Sequence, residues 1–446
     1  MKKFVFENLQ DVTKLIPLAS DAKSATVLTL GAKAIENRLM CVIRSNTQNR
    51  QIVLRTLCDQ PKDWDGKPIQ LSVRSANFIS VIQTLAAYKD AKMYLAVGET
   101  DVTIGVEKKA KVKLPLLGEF SKEIKVGKVM AQFIAGDGFE TCLRKGCGCA
   151  RQSIDSVRLF HNAVLVLNTK TGELSALSTD GFSMASAKTT VQPFRAAEGN
   201  DAAKKRAEEI AANLKAFCEG DARQSEEALE LCVPHESMTI IRQLISGVKN
   251  VGVAADESHL LVQAGPNVVL TVARGTGTTI NIPVLGQLFE RQGDVVCAAD
   301  VETFLRGVSL CNKVKGISPD ADGAMSIEVT KDALVMSVGS GKNKAAETRV
   351  ALLGKTGEAT QVKVDGKKLE TILSMLDKGG MLVRFSDNQV MLFSNGNLKD
   401  GSDETAHLAL ALVRDHAENN REEEVKDPEE TEGSEGTEAM TEGIAA

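Results

Sequence analysis

The chain has 446 residues, of which 43% are hydrophobic and 25% are charged, and its formal net charge is −5 at pH 7. This length predicts about three domains, and the composition is that of an ordinary soluble protein. No run of about 18 apolar residues predicts a membrane span, and nine dispersed cysteines, an odd number, argue against a secreted disulfide framework. We therefore expect a cytoplasmic protein with reduced thiols and no membrane partner.

The charge is distributed unevenly. From His416 to Ala446 the chain has eleven acidic and two basic residues, a net charge of −9, so that residues 1–415 carry +4. The segment 416–446 is rich in Glu, Gly and Thr and poor in apolar residues, which predicts a disordered acidic tail. The mildly basic remainder is compatible with nucleic-acid binding but does not require it.

Three segments begin with a short strand that leads into a helix. The predicted strands are 3–6, 123–126 and 294–297, and the predicted helices lie near 8–23, 128–143 and 299–313. Pro17 falls inside the first predicted helix and should kink that helix or mark its true start.

A second unit also occurs three times, with apolar residues 5, 8 and 12 positions after a valine, a spacing that places them on one helical face. The residues are Phe78, Val81 and Leu85 after Val73; Met238, Ile241 and Ile245 after Val233; and Leu369, Ile372 and Leu376 after Val364. Hairpins follow, with turns at 98–101, 256–259 and 386–389. The period is too long for a solenoid, so we predict three copies of one α+β domain, each with two helices and about eight antiparallel strands. The predicted boundaries are 1–124, 125–296 and 297–415, followed by the tail 416–446.

Residues 196–230 interrupt the second copy. This segment is rich in Ala, Glu and Lys, and it lengthens the distance between the repeated valines. We interpret it as a solvated, helix-prone surface insertion.

Sequence motifs for catalysis are weak. Residues 339–342 lack the first glycine and the Ser or Thr of a phosphate-binding loop, and the five histidines are dispersed. Cys142, Cys147 and Cys149 form a cluster of thiols without the Cys-x-x-Cys pairs that structural zinc prefers. We predict no enzyme, no metal and no cofactor; an enzyme that uses the Cys142–Cys149 region with a nearby histidine is the alternative.

One local motif carries a family resemblance. The stretch 155–162 leads through two strand-like segments to Ser178-Thr-Asp-Gly-Phe-Ser-Met-Ala185. This stretch, together with the threefold repeat, resembles the bacterial sliding clamp, the beta subunit of DNA polymerase III. The resemblance covers residues 1–415 by the order of elements, although the turn has Phe182-Ser183 where the family usually has His-Arg.

The resemblance implies a DNA-clamp fold whose helices line a ring. Two subunits would close head to tail, as a homodimer, around duplex DNA without reading its sequence, and the ring would tether the replicative DNA polymerase. A clamp loader would open it, and the clamp itself would catalyse nothing. A clamp-like repair adaptor is the alternative within the same fold.

Basic residues on the predicted helices and loops would contact DNA phosphates, although each one could equally be an ordinary solvated side chain. These residues are Lys14, Lys23, Lys89, Lys128, Arg144, Lys145, Arg151, Arg158, Arg242, Lys249, Arg306, Lys313, Lys367 and Lys368. We interpret residues 144–151 as a basic loop with flexible glycines.

The family's peptide-binding groove lies between its second and third domains. Carried over by position, its lining here would be Thr179, Gly181, Phe182, Met184, Pro283, Leu288, Leu408, Leu410 and Leu412. Ordinary core packing is the competing interpretation for Phe182 and the leucines. The acidic tail extends beyond the family's usual end; if it mimics DNA, deleting 416–446 should tighten nonspecific DNA binding.

Overall fold

The computed structural model describes residues 2–88, 92–136, 138–150, 160–168, 170–193, 218–219, 228–249, 251–277, 288–289, 295–315, 317, 324–340, 343–386, 390–397, 401–402 and 406–412. The same order of elements occurs three times along these residues: one strand, a helix, four strands, a second helix and three strands. This recurrence is the repeat that the sequence predicts, and eight antiparallel strands with two α-helices recur in each copy.

The first copy has eight strands and two α-helices, with a 3₁₀-helix after the first α-helix. They are β1 (Lys3–Phe6), α1 (Leu9–Thr13), the 3₁₀-helix (Ile16–Ala19), β2 (Ala25–Ile35), β3 (Arg38–Asn46), β4 (Arg50–Asp59), β5 (Ile69–Arg74), α2 (Ser75–Leu85), β6 (Met93–Val97), β7 (Asp101–Val106) and β8 (Ala110–Pro115).

The second copy repeats this order and adds the short strands β9 and β14, which pair with each other. Its elements are β9 (Val126–Lys128), β10 (Ala131–Ala135), α3 (Gly138–Gly146), β11 (Asn162–Asn168), β12 (Glu173–Thr179), β13 (Ser183–Pro193), β14 (Cys218–Glu219), β15 (Ala228–Pro234), α4 (His235–Ile245), β16 (Val251–Ala255), β17 (His259–Ala264) and β18 (Val268–Ala273).

The third copy repeats the order again, with the short strands β23 and β27 added. Its elements are β19 (Val295–Asp300), α5 (Val301–Lys315), β20 (Met325–Val329), β21 (Ala333–Ser340), β22 (Asn343–Ala351), β23 (Gly354–Thr356), β24 (Thr360–Val364), α6 (Gly366–Met375), β25 (Gly380–Ser386), β26 (Val390–Asn397), β27 (Gly401–Ser402) and β28 (Ala406–Ala411).

The helices are amphipathic, and their apolar stripes pack on the sheets. Phe78, Ile82 and Leu85 of α2 are buried in the first core, and Leu369 and Ile372 of α6 are buried in the core of the third copy. The predicted stripe is therefore confirmed in each copy except at Val81, which is half-buried while its neighbour Ile82 takes the core position.

Adjacent copies are joined by strand pairing. The last strand of the second copy, β18, pairs antiparallel with β4 of the first copy, with Val268 opposite Leu54 and Val272 opposite Arg50. The last strand of the third copy, β28, pairs in the same way with β13 of the second. The same two positions in the repeat therefore form both junctions.

Two of the predicted first helices need correction. The segment 128–143 is not one helix, because β10 occupies Ala131–Ala135 and α3 begins only at Gly138. The helix predicted at 8–23 breaks as Pro17 suggests, since α1 ends at Thr13 and the 3₁₀-helix carries this proline in its first turn. The predicted helix 299–313 is confirmed as α5, shifted by two residues.

Most of the predicted insertion 196–230 and the whole tail 416–446 lie outside the described residues. The insertion ends earlier than predicted, because β15 begins at Ala228. The third copy also begins slightly earlier than the predicted boundary at 296, because β19 begins at Val295. The domain boundaries otherwise stay predictions. Among the described helices, none is long and apolar enough to cross a membrane.

Candidate functional site

The junction between the second and third copies brings together residues that the sequence predicts for two different roles. At the end of α3, the Arg144 guanidinium donates to the carbonyl of Met375 at 2.6 Å and to Asp377 Oδ1 at 2.5 Å. Lys145 Nζ donates to Asp377 Oδ2 at 2.6 Å and to Asn395 Oδ1 at 3.2 Å. These contacts tie the first helix of one copy to the end of the second helix of the next.

Lys145 cannot reach DNA from this position, because its side chain is only 2% exposed and its ammonium is paired with Asp377. The predicted phosphate contact of Lys145 is therefore wrong. Burial alone would raise the pKa of Asp377, but Lys145 and then Arg144 outweigh burial and lower that pKa. Arg144 also pairs with Asp377, so it too lies at this junction.

The glycines that follow Arg144 do not form a flexible basic loop. Gly146 ends α3, and a Cβ there would lie 2.3 Å from the carbonyl oxygen of Ala176 on β12. Ser178 Oγ donates to the carbonyl of Gly146 at 2.7 Å and accepts from the Cys149 amide at 3.0 Å. Glycine is required here because the helix end lies directly against the strand.

The turn between β12 and β13 is held by its aspartate. Asp180 Oδ1 accepts from the amides of Phe182 and Ser183, at 2.9 and 2.7 Å, and from Ser183 Oγ. Thr179 is buried and donates to the Ser183 carbonyl, while Gly181 has φ +91, which favours glycine. The Phe182 ring projects from this turn and is 56% exposed.

Lys368 of α6 contacts this turn. Its ammonium donates to Asp180 Oδ2 and lies 4.5 Å from the centroid of the Phe182 ring. Burial alone would raise the pKa of Asp180, but hydrogen bonds from Lys368 and Ser183 outweigh it and lower that pKa. Lys368, which the sequence assigns to DNA, therefore lies at the predicted groove, and its contact with DNA stays a prediction.

Beside this turn, the outer face of the sheet has an apolar surface. Met184 lies opposite Ala409 of β28, and the Phe289 ring stacks on the ring of His407 with centroids 5.7 Å apart. Met184 and Phe289, both partly buried, pack on a small cluster separate from the main cores. The cluster comprises Val164, Leu177 and Cys232, with Val166 at its edge. We call the surface of Phe182, Met184, Phe289 and His407, which lies over the buried Ala409, the β13–β28 groove.

Three of the predicted lining residues do not line this groove, because the alternation of side chains along β28 places them on its opposite face. Leu408 and Leu410 are fully buried in the core of the third copy, and Leu412 packs on the same core. The outer face of β28 instead presents His407, Ala409 and Ala411, because successive side chains point to opposite faces. Leu288 is half-buried next to Phe289, and Pro283 lies outside the described residues.

The other predicted DNA contacts differ in their placement. Lys128 is exposed but ends the strand β9 rather than lying on a helix, and Lys14 is paired with Asp11 at 2.8 Å. Arg242 is half-buried on α4. The exposed remainder comprises Lys23, Lys249, Arg306, Lys313 and Lys367. Lys89, Arg151 and Arg158 lie outside the described residues.

The clustered thiols are poor candidates for catalysis. Cys142, Cys147 and Cys149 are buried, and burial raises the pKa of Cys142 and of Cys149 to about 12. A nucleophilic or metal-binding cysteine reacts as the thiolate, which such burial disfavours at neutral pH. Cys142 and Cys147 pack in the first core cluster, and Cys149 packs in the core of the third copy.

The fold has close counterparts among solved structures. The DNA polymerase III subunit beta of Pseudomonas aeruginosa superimposes with a TM-score of 0.70 at 13% identity, over 93% of this chain and 99% of that one. The sliding clamp of Bacillus subtilis gives 0.68 at 14% identity, over 93% and 100%. A Helicobacter pylori beta clamp bound to a DNA ligase peptide gives 0.65 at 14% identity, again over 93% and 100%.

No protein-family model and no curated protein sequence matches the chain. The class is therefore defined by the structure: the chain has the fold of the bacterial DNA polymerase sliding clamps. Among the solved proteins that display this fold is the DNA polymerase III subunit beta of Pseudomonas aeruginosa, a member of the family that the sequence resembles.

Proposed function

We propose that this protein is a DNA polymerase processivity factor: a sliding clamp in which two subunits close head to tail around duplex DNA. It would act in the cytoplasm, hold the replicative polymerase through the β13–β28 groove and catalyse no reaction. A clamp loader would be its partner for opening. The observation that carries the proposal is the repeated junction between copies.

Both junctions within the chain use one rule, in which the last strand of a copy pairs with the fourth strand of the copy before it. The rule pairs β18 with β4 and β28 with β13. It leaves two strands unmatched in the described pairings, β8 of the first copy and β22 of the third, each of which pairs with one neighbour only. A second subunit, placed head to tail, would satisfy both edges.

The helices support the same closure. The buried residues Phe139, Cys142, Leu143 and Gly146 of α3 match Phe304, Gly307, Val308 and Cys311 of α5 in spacing. In this alignment Leu310 takes the place of Lys145. Lys145 is buried by the following copy, whereas Leu310, in the last copy, is 50% exposed. An exposed leucine at a junction position is accounted for if a partner subunit covers it.

The first test is the mass in solution by light scattering across a dilution series. A mass near twice 47.7 kDa that persists on dilution is expected. After assembly on closed circular DNA with a clamp loader, the protein should then remain there at a salt concentration that removes a simple electrostatic binder, and leave when the DNA is linearised. A stable monomer, or equal loss from both DNA forms, would contradict the proposal.

A further inference from the structure

Lys368 has an unusual position for a lysine. Asp365 caps the N-terminus of α6 by accepting from the amides of Lys367 and Lys368, at 2.9 and 3.2 Å, which fixes Lys368 in the first helical turn. A cation at this end of a helix is disfavoured by the helix dipole and carries an energetic cost. Asp180 of the neighbouring copy offsets this cost by pairing with the ammonium.

The pair with Asp180 uses only part of the hydrogen-bonding capacity of the Lys368 ammonium. Within the described residues, Lys368 Nζ donates one hydrogen bond, to Asp180, and an ammonium has three N–H donors. The side chain is 27% exposed and lies against the exposed Phe182 ring. Two donors next to an open aromatic face can bind a carboxylate whose neighbouring apolar atoms cover the ring.

The separation of the two subsites sets the spacing of the side chains in a bound peptide. Phe182 and Met184 are two residues apart, about 7 Å along an extended chain. A peptide that lies in extended form over the face of the sheet and follows the direction of β13 has the same rise per residue, so its side chains two positions apart reach both subsites. Ala409, opposite Met184, is already buried, so the apolar side chain would contact Met184 and the Phe289 ring.

We infer that Lys368 selects an acidic partner peptide: an extended segment with an Asp or Glu two residues from an apolar anchor, the carboxylate on Lys368 and the anchor on Met184 and Phe289. This inference rests on the proposed peptide groove. Lys368 is then a specificity residue of the groove and not a contact to DNA.

The experiment selects displayed random seven-residue peptides on the full-length protein and on four variants. Lys368→Glu reverses the charge, Lys368→Gln removes it without adding repulsion toward Asp180, and Met184→Glu blocks the apolar subsite. Lys367→Glu is the matched control, because it makes the same charge change on the adjacent exposed residue of α6.

The wild type and Lys367→Glu should enrich Asp or Glu two positions from an apolar residue, and Lys368→Glu should enrich Lys or Arg there. By fluorescence anisotropy, a selected peptide should bind about three- to tenfold more tightly than its Asn or Gln twin, and Lys368→Gln should abolish this difference.

The negative outcomes separate the two ideas. If peptides bind the wild type but not Met184→Glu, the groove is retained. The role of Lys368 is overturned if those peptides show no acidic preference, or if both Lys368 variants keep the same preference. If no peptide distinguishes the wild type from Met184→Glu, both the groove and the role of Lys368 are overturned.

Discussion

At the scale of residues, the contact between Lys145 and Asp377 makes a strong stability prediction. Replacing Asp377 with Ala leaves the Lys145 ammonium buried with Asn395 as its one remaining acceptor among the described residues. We expect a loss of about 2–3 kcal/mol in the free energy of unfolding, because an uncompensated buried charge is costly. Urea denaturation followed by circular dichroism measures this loss.

The control is an ion pair of similar chemistry on the surface. Lys188 and Glu173 lie 3.3 Å apart and are each about half exposed. Glu173→Gln should change the free energy of unfolding by less than about 0.5 kcal/mol. Equal effects of the two substitutions would contradict the buried role of Lys145.

The same contact predicts a pH dependence. The pKa of Asp377 is lowered in the folded protein, so its contribution to stability is present above the unfolded value and lost as pH falls through the folded value. The stability difference between wild type and Asp377→Asn should thus be constant near neutral pH and shrink below about pH 4. Urea titrations at several pH values test this; a difference that grows in acid would refute the sign.

Charge alone could not have distinguished Lys145 and Lys368 from the exposed lysines. Their environments depend on Asp377 and Asp180, which lie 232 and 188 positions away in the chain. No local pattern encodes such pairings. A sequence therefore identifies which residues are basic, and only the packing of copies decides which of them face solvent.

At the scale of elements, the last strand shows that a signal was present but was interpreted wrongly. In β28 the leucines at 408 and 410 alternate with His407 and Ala409. Alternation predicts one buried face and one outer face, and the larger apolar side chains belong in the core. The groove should accordingly have been assigned to His407 and Ala409.

The close contact of α3 with β12 gives a second prediction. Gly146→Ala should destabilise the protein by about 1–3 kcal/mol, since the new methyl group meets the backbone carbonyl of Ala176, which cannot move without shifting β12. Gly148→Ala is the matched comparison, because its methyl group would meet the thioether of Met375, which can rotate away. Thermal unfolding should rank Gly146→Ala clearly below Gly148→Ala; the reverse order would contradict this packing.

At the scale of the whole molecule, the threefold repeat could be predicted because helical stripes and hairpin turns are local patterns. Val73, Val233 and Val364 each precede a second helix, as the spacing indicates. The junctions could not be predicted in the same way. The pairing of β28 with β13 joins residues more than 200 positions apart, and only the folded copies bring these edges together.

The exposed Leu310 allows the proposed subunit junction to be tested and then rebuilt. Leu310→Glu should weaken the dimer about a hundredfold, because it would bury an uncompensated charge in the proposed subunit junction. Leu353→Glu is the control: Leu353 is 67% exposed in the same copy but lies beyond the end of β22. Dissociation is measured by light scattering on dilution.

The repeat also predicts a rescue. Leu310 corresponds to Lys145, and Ala86, which follows Leu85 as Asp377 follows Leu376, corresponds to Asp377. Leu310→Lys alone should weaken the dimer, and Leu310→Lys combined with Ala86→Asp should restore it by recreating, between subunits, the ion pair that joins the second and third copies. If the double variant dimerises as tightly as the wild type, and Ala86→Asp alone does not, α5 of one subunit meets α2 of the other. If the double variant stays as weak as Leu310→Lys, these helices do not meet across subunits.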